Sequence, residues 1–210
     1  MDPDGSGARP GAYDAGSERT LLASWLLSAP GPLVTCIAVA MSSSATQIAD
    51  AIRRTVELGA LFTGWWTYRR RRTAPGPAEV ATLERRARRT VAAAMFLSGL
   101  AMLAVGVYRF FRHEPGGNVT VGLAVASLGL LVNGFFWVRY TRILRRGPDP
   151  VIAGQLRLYR AKTVVDSGVV LALLAVAFIP DHPVTHYADS LGSVAVVGYL
   201  IQQALTSGTH

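Results

Sequence analysis

The chain has 210 residues, of which 50% are hydrophobic and only 16% charged, and its mean hydropathy is +0.31. That balance argues against an ordinary soluble domain. The 21 Lys and Arg against 13 Asp and Glu leave a net charge of +8, but the positive residues fall between long apolar runs, which favours a membrane over a nucleic-acid partner.

Residues 1–20 carry Asp2, Asp4, Asp14 and Glu18 among several glycines and lack the positive start of a secretory signal. They are expected to form a disordered tail that stays on the chain. A transmembrane helix needs about 20 mostly apolar residues, and six segments approach that length: residues 21–41, 45–66, 90–110, 119–140, 161–179 and 187–205. The predicted fold is an all-α, six-helix transmembrane bundle over residues 21–205, with a short tail at 206–210 and no soluble C-terminal domain.

Arginines mark the orientation. Arg69 to Arg72, Arg85, Arg86, Arg88 and Arg89 lie between the second and third segments, and Arg142, Arg145, Arg146, Arg157 and Arg160 between the fourth and fifth. The other connections are nearly free of positive charge, so both termini are expected on the cytoplasmic side, with the plasma or inner membrane as the location. Trp65, Trp66, Tyr68, Trp137 and Tyr140 are read as interfacial aromatics closing the second and fourth segments.

Within the first segment, Pro30-Gly31-Pro32 should kink or interrupt the helix. Cys36, the single cysteine, permits neither a disulfide framework nor a cysteine zinc motif and is read as a small buried thiol. Gly99, Gly106, Gly122, Gly129 and Gly134 in the third and fourth segments would let helices approach closely. No nucleophile and base stand at a recognisable spacing, so no enzymatic activity and no cofactor are implied.

The informative residues are charges inside apolar segments, which cost roughly 2.5 to 3.5 kcal/mol each unless paired or solvated. The second segment holds Asp50, Arg53, Arg54 and Glu57, and the fifth holds Lys162 and Asp166. Arg53 and Glu57 are four apart, as are Lys162 and Asp166, so each helix presents a base and an acid on one face. The two helices are expected to face each other across a polar centre. In the alternative, Lys162 snorkels to the interface while Arg53 and Arg54 pair locally with Asp50 and Glu57. Lys162 is also the only lysine among the 21 basic residues, and a buried lysine, unlike an arginine, gives up its proton.

Residues 44–57, with Ala49-Asp50-Ala51 and the Arg53/Glu57 pair, together with Asn133, Lys162-x-x-x-Asp166-Ser167-Gly168 and Tyr187-Ala188-Asp189, follow a recognisable order and spacing. On these the chain resembles the transmembrane domain of the cation diffusion facilitator family, over roughly residues 21–205. The resemblance implies a six-span secondary transporter that moves a monoatomic cation, or a proton, through a site between the second and fifth helices, with a homodimer held within the membrane as a further option. In that family His and Asp at the two pairs hold a tetrahedral metal. Here Arg53 has no free lone pair and protonated Lys162 none either, so only Glu57 and Asp166 could still hold a cation. The competing reading is a non-transporting relative or partner subunit in which a salt-bridge network replaces the metal. A separate candidate metal site is Asp181, His182, His186 and Asp189 in an external turn, although Asp189 suits a helix cap better. His113 and His210 are read as solvated.

Overall fold

Proline has no backbone N–H to donate, and Pro30 and Pro32 divide the first apolar segment as the sequence predicts. In the computed structural model, which describes residues 14–42, 45–112 and 119–178, α1 runs over Ala15–Ser28 and α2 over Pro30–Ser42, with Ala29 between them. The remaining helices are α3 (Ala45–Arg70), α4 (Pro77–Arg112), α5 (Val119–Leu144) and α6 (Pro150–Phe178), and a 3₁₀ turn at Arg71–Thr73 follows α3. The described residues contain no strand. The expected sixth segment, residues 187–205, lies outside them.

The helices outrun the apolar segments that located them. Helix α1 begins six residues early, inside the expected tail, because Asp14 caps it: its carboxylate accepts from the Gly16 and Ser17 amides at 3.0 and 2.9 Å and from the Ser17 hydroxyl at 2.8 Å. The Arg85–Arg89 stretch, read from the sequence as loop, belongs to α4, which has 36 residues and is thus about 54 Å long. Arg157 and Arg160 likewise lie within α6, whose start is set by Pro150 and by Asp149 Oδ1 accepting from the Val151 and Ile152 amides. By length and composition, one helical stretch among the described residues, Pro77–Ala104, is long and apolar enough to cross a membrane. The two halves of the first segment are each too short, and α3 is interrupted by charge.

Helix α5 packs along α6 and α3 along α4; α1 and α2 flank α3, and α4 also meets α6. Leu83, Ala87, Val91, Ala94, Met95 and Ser98 form a buried stripe along α4 at helical spacing. Phe136, Tyr140 and Tyr159 pack as tilted rings where α5 meets α6, with ring centroids 5.1 to 6.2 Å apart. The core is mainly apolar but encloses several polar side chains, while large apolar residues also lie on the surface. Arg53, Glu57, Asn133 and Gln155 are buried, whereas Leu131 and Phe178 are 70% and 81% exposed, as suits a helical protein whose solvent is lipid.

Several sequence expectations change. Cys36 is exposed on the outward face of α2, beside exposed Leu33 and Ile37, because the break at Pro30 leaves that face without a neighbour among the described helices. Tyr68 and Tyr140 are buried within the bundle: the Tyr140 hydroxyl lies 2.7 Å from Ser24 Oγ, and the Asp14 amide donates to the Tyr68 hydroxyl at 3.0 Å. Trp66 and Trp137 stay exposed. Of the small residues, Gly129 does permit a close approach, since a Cβ there would lie 3.2 Å from Asp166 Oδ2, while Gly134 has open space around it among the described residues. The tightest contact is at Gly64, where a Cβ would overlap the side-chain amide of Gln155 on α6.

Three helices meet at Arg71. Its guanidinium donates to Glu84 on α4 at 2.7 Å and to Asp149 before α6 at 2.6 Å, and lies 4.9 Å from the Tyr68 ring centroid. All three charged side chains are less than one-fifth exposed.

Candidate functional site

Glu57 is the centre of the buried charge. Its position, one helical turn beyond Arg53 on α3, puts both side chains on one face, with Arg53 Nη1 3.6 Å from Glu57 Oε1. The same face meets α6, where Lys162 Nζ lies 3.4 Å from Glu57 Oε2. Ser98, on the buried stripe of α4, donates to Glu57 Oε1 at 3.2 Å. The carboxylate thus takes contacts from three helices while only 5% exposed, and the charged partners and Ser98 satisfy acceptor sites that burial would otherwise strand.

Lys162 is fixed from a second direction, with Nζ 5.2 Å from the centroid of the Tyr159 ring. A cavity of about 10 Å³, room for roughly one water, lies between α3, α4 and α6 and is lined by Arg53, Glu57, Ser98 and Lys162 with Met95 and Leu158.

Asp166 is one turn beyond Lys162 on α6, yet its short contact is with α5: Asn133 Nδ2 donates to its Oδ2 at 2.6 Å. The absence of a Cβ at Gly129 leaves room for that carboxylate. The structure therefore brings Arg53, Glu57 and Lys162 together and seats Asp166 with Asn133 beside them. Asp50 lies within α3, but its side chain is outside the described ones, as are Asp181, His182, His186 and Asp189. Arg54 is turned toward the broken first segment, its Nη1 3.4 Å from where a Gly31 Cβ would stand.

Ser98 and Gln155 are polar residues of this interior that the sequence reading passed over. Gln155 Nε2 donates to the Ala60 carbonyl at 3.2 Å, while its Oε1 is buried with no hydrogen-bond partner among the described residues. A lone serine or glutamine in an apolar helix has no sequence signal of its own; only the buried spacing of α4 would have put Ser98 on the inner face.

In chemical terms the site holds one carboxylate between two cations and a second on an amide. Among the described residues no group of three or more His, Cys, Asp or Glu is placed to hold a metal ion. Arginine offers no lone pair, so a metal at Glu57 would have to displace Lys162 or Arg53 first. A proton faces no such requirement.

Among curated proteins no sequence matches the chain. The model of the cation efflux transmembrane domain does match, over residues 21–208, which spans all the charged positions just described. With nearly the whole chain covered in this way, the protein belongs to the cation efflux transmembrane-domain family.

Proposed function

We propose that the chain is a membrane secondary transporter that moves a monoatomic cation or a proton through the polar centre between α3 and α6. Family membership carries the general part, a membrane protein of cation efflux. The observation that supports the specific part is the placement of Glu57 between Arg53 on its own helix and Lys162 on another, deep in the bundle.

In this reading Glu57 and Asp166 are the acceptors and Lys162 is a resident counter-cation. An arriving cation or proton neutralises Glu57 and releases Lys162, and the loosened α3–α6 contact lets the two helices rearrange so that the site faces the other side. Lysine suits that role better than arginine because its ammonium is a compact point charge on a flexible stem, where a guanidinium makes several directed contacts. The Arg-rich ends of α3 and α5 and the Asp14 end of α1 are read as cytoplasmic, in keeping with the positive-inside rule.

The test is ion-coupled flux in proteoliposomes loaded with candidate cations or a pH-sensitive dye. Glu57→Ala and Asp166→Ala should each abolish flux; unchanged flux in both would remove the mechanism. A second reading, a non-transporting relative held together by its salt bridges, is favoured by the charge balance of the quartet, two cations against two acids. It expects no flux with any cation and a large loss of melting temperature in Arg53→Ala.

A further inference from the structure

The last turns of α3 carry a feature with no part in the central site. Trp65, Trp66, Arg69, Arg70 and Thr73 line an open groove of about 320 Å³. Its floor is aromatic: Trp65 stacks on Trp25 of α1 at a centroid distance of 6.3 Å and 9° between the planes, and Phe62 lies 5.7 Å from Trp65. Trp66 is 42% exposed. Its rim is cationic, with Arg69 5.6 Å from the Trp65 ring centroid and its side chain 63% exposed. Among the described residues one acid is close, Glu18, 4.0 Å from Arg69 Nε. One carboxylate against two guanidinium groups leaves the groove positive. The four-arginine run thus divides, since Arg71 is turned inward to Glu84 and Asp149 while Arg69 and Arg70 stay exposed.

We propose that this groove seats the phosphate headgroup of an anionic phospholipid. The chemistry is that of a membrane boundary: guanidinium groups bind a phosphodiester through paired N–H donors, and indole rings lie where headgroup meets hydrocarbon. A zwitterionic headgroup brings its own ammonium or choline toward two arginines and is disfavoured. A free phosphate has nothing to place on the indole surface. The α3 C-terminus opposes any anion with its carbonyl end, so the two arginines must outweigh it, and the site depends on both. The inference rests on the chain spanning a membrane, not on transport through Glu57.

The experiment uses the full chain in lipid nanodiscs, with tryptophan quenching by brominated phosphatidylglycerol compared with brominated phosphatidylcholine. Wild type should prefer phosphatidylglycerol, and Arg69→Gln with Arg70→Gln should weaken that preference at least fivefold, since each juxtamembrane arginine contributes about fivefold in lipid affinity. Arg145→Gln with Arg146→Gln removes the same charge from another exposed position, so any diffuse attraction falls equally there, and the preference should fall at least fivefold less than in the groove variant. Equal losses in the two double variants would show diffuse attraction and overturn the site, as would no preference in wild type. Displacement of the lipid by millimolar inorganic phosphate would reassign the groove to a soluble anion and also overturn it. Circular dichroism and melting of each variant separate lost binding from lost fold.

Discussion

Lys162 on α6 holds its ammonium 3.4 Å from the Glu57 carboxylate on α3, so the only lysine in the chain joins two helices through one buried contact. Removing either partner leaves the other's charge buried and incompletely compensated, which costs more than the pair itself contributes. Glu57→Gln and Lys162→Gln should each destabilise the protein by about 3 kcal/mol. The double variant should fall short of the sum by about 1 to 3 kcal/mol. Chemical unfolding of the four proteins in detergent measures the cycle; strict additivity would mean that the two groups do not interact.

If the quartet stands where metal ligands stand in the family, replacing its two cations with histidines should restore a metal site. Arg53→His with Lys162→His puts two imidazoles beside Glu57 and Asp166, four donors of the kind zinc takes in tetrahedral sites. Isothermal titration should show zinc binding in this double variant and none in the wild type. Binding in neither variant would mean that the four positions do not converge closely enough to share an ion.

At the α3–α6 seam the Gln155 side chain fills the space that a methyl at Gly64 would need. Gly64→Ala should therefore cost about 1 to 3 kcal/mol as an overpacked contact, and Gln155→Ala in the same chain should recover part of the loss. Gln155→Leu removes the buried Oε1 that has no partner among the described residues and should melt no lower than wild type, because an unmet acceptor costs about 1 to 3 kcal/mol. Thermal melting distinguishes these outcomes; a large loss in Gln155→Leu would mean that the amide is fully bonded after all.

Acid should release the start of α1. The Ser17 hydroxyl foremost, and then the Gly16 amide, hold the Asp14 carboxyl below its ordinary value of 3.8. A depressed carboxyl favours the folded cap above the unfolded value, and that contribution is lost as pH falls through the folded one. The Gly16 and Ser17 amide resonances should shift with a midpoint under 3.8. A midpoint at or above 3.8 would show that the cap does not bind the ionised form. Asp14→Ala should remove the titration and cost about 1 kcal/mol of helix stability.

Arg71 holds two carboxylates, Glu84 on α4 and Asp149 just before α6, at 2.7 and 2.6 Å. Arg71→Ala leaves Glu84 and Asp149 facing each other without a cation and should lower stability by about 3 kcal/mol. Adding Glu84→Gln should restore part of it, because one acid then remains where two repelled. Unfolding in detergent measures both steps.

The sequence was most informative where a physical rule has a period. Four-residue spacing put Arg53 and Glu57 on one face, and they are in contact. The same spacing joined Lys162 to Asp166, but there the tertiary partners differ: Lys162 reaches across to Glu57 and Asp166 reaches to Asn133. A period assigns residues to a face, not to a neighbour. Pro30 and Pro32 were legible because a missing N–H acts locally. Helix ends were not, because hydropathy marks the thickness of lipid rather than the length of a helix. The cap at Asp14 did have a local signal, an acceptor three residues before Ser17. The hydroxyl partners of Tyr68 and Tyr140 were not legible, because an aromatic near a segment end carries no sign of which helix its hydroxyl will meet.

Helix α4 continues unbroken from Pro77, past the Glu84 that grips Arg71, to the Ser98 that touches Glu57. Fourteen residues of continuous backbone thus separate the two contacts, about 21 Å of stiff rod. A push or twist applied to its arginine-bearing end would be delivered mechanically to the carboxylate, with no loop in between to absorb it. A partner bound to that arginine-bearing end would act through this lever on the buried Glu57 carboxylate.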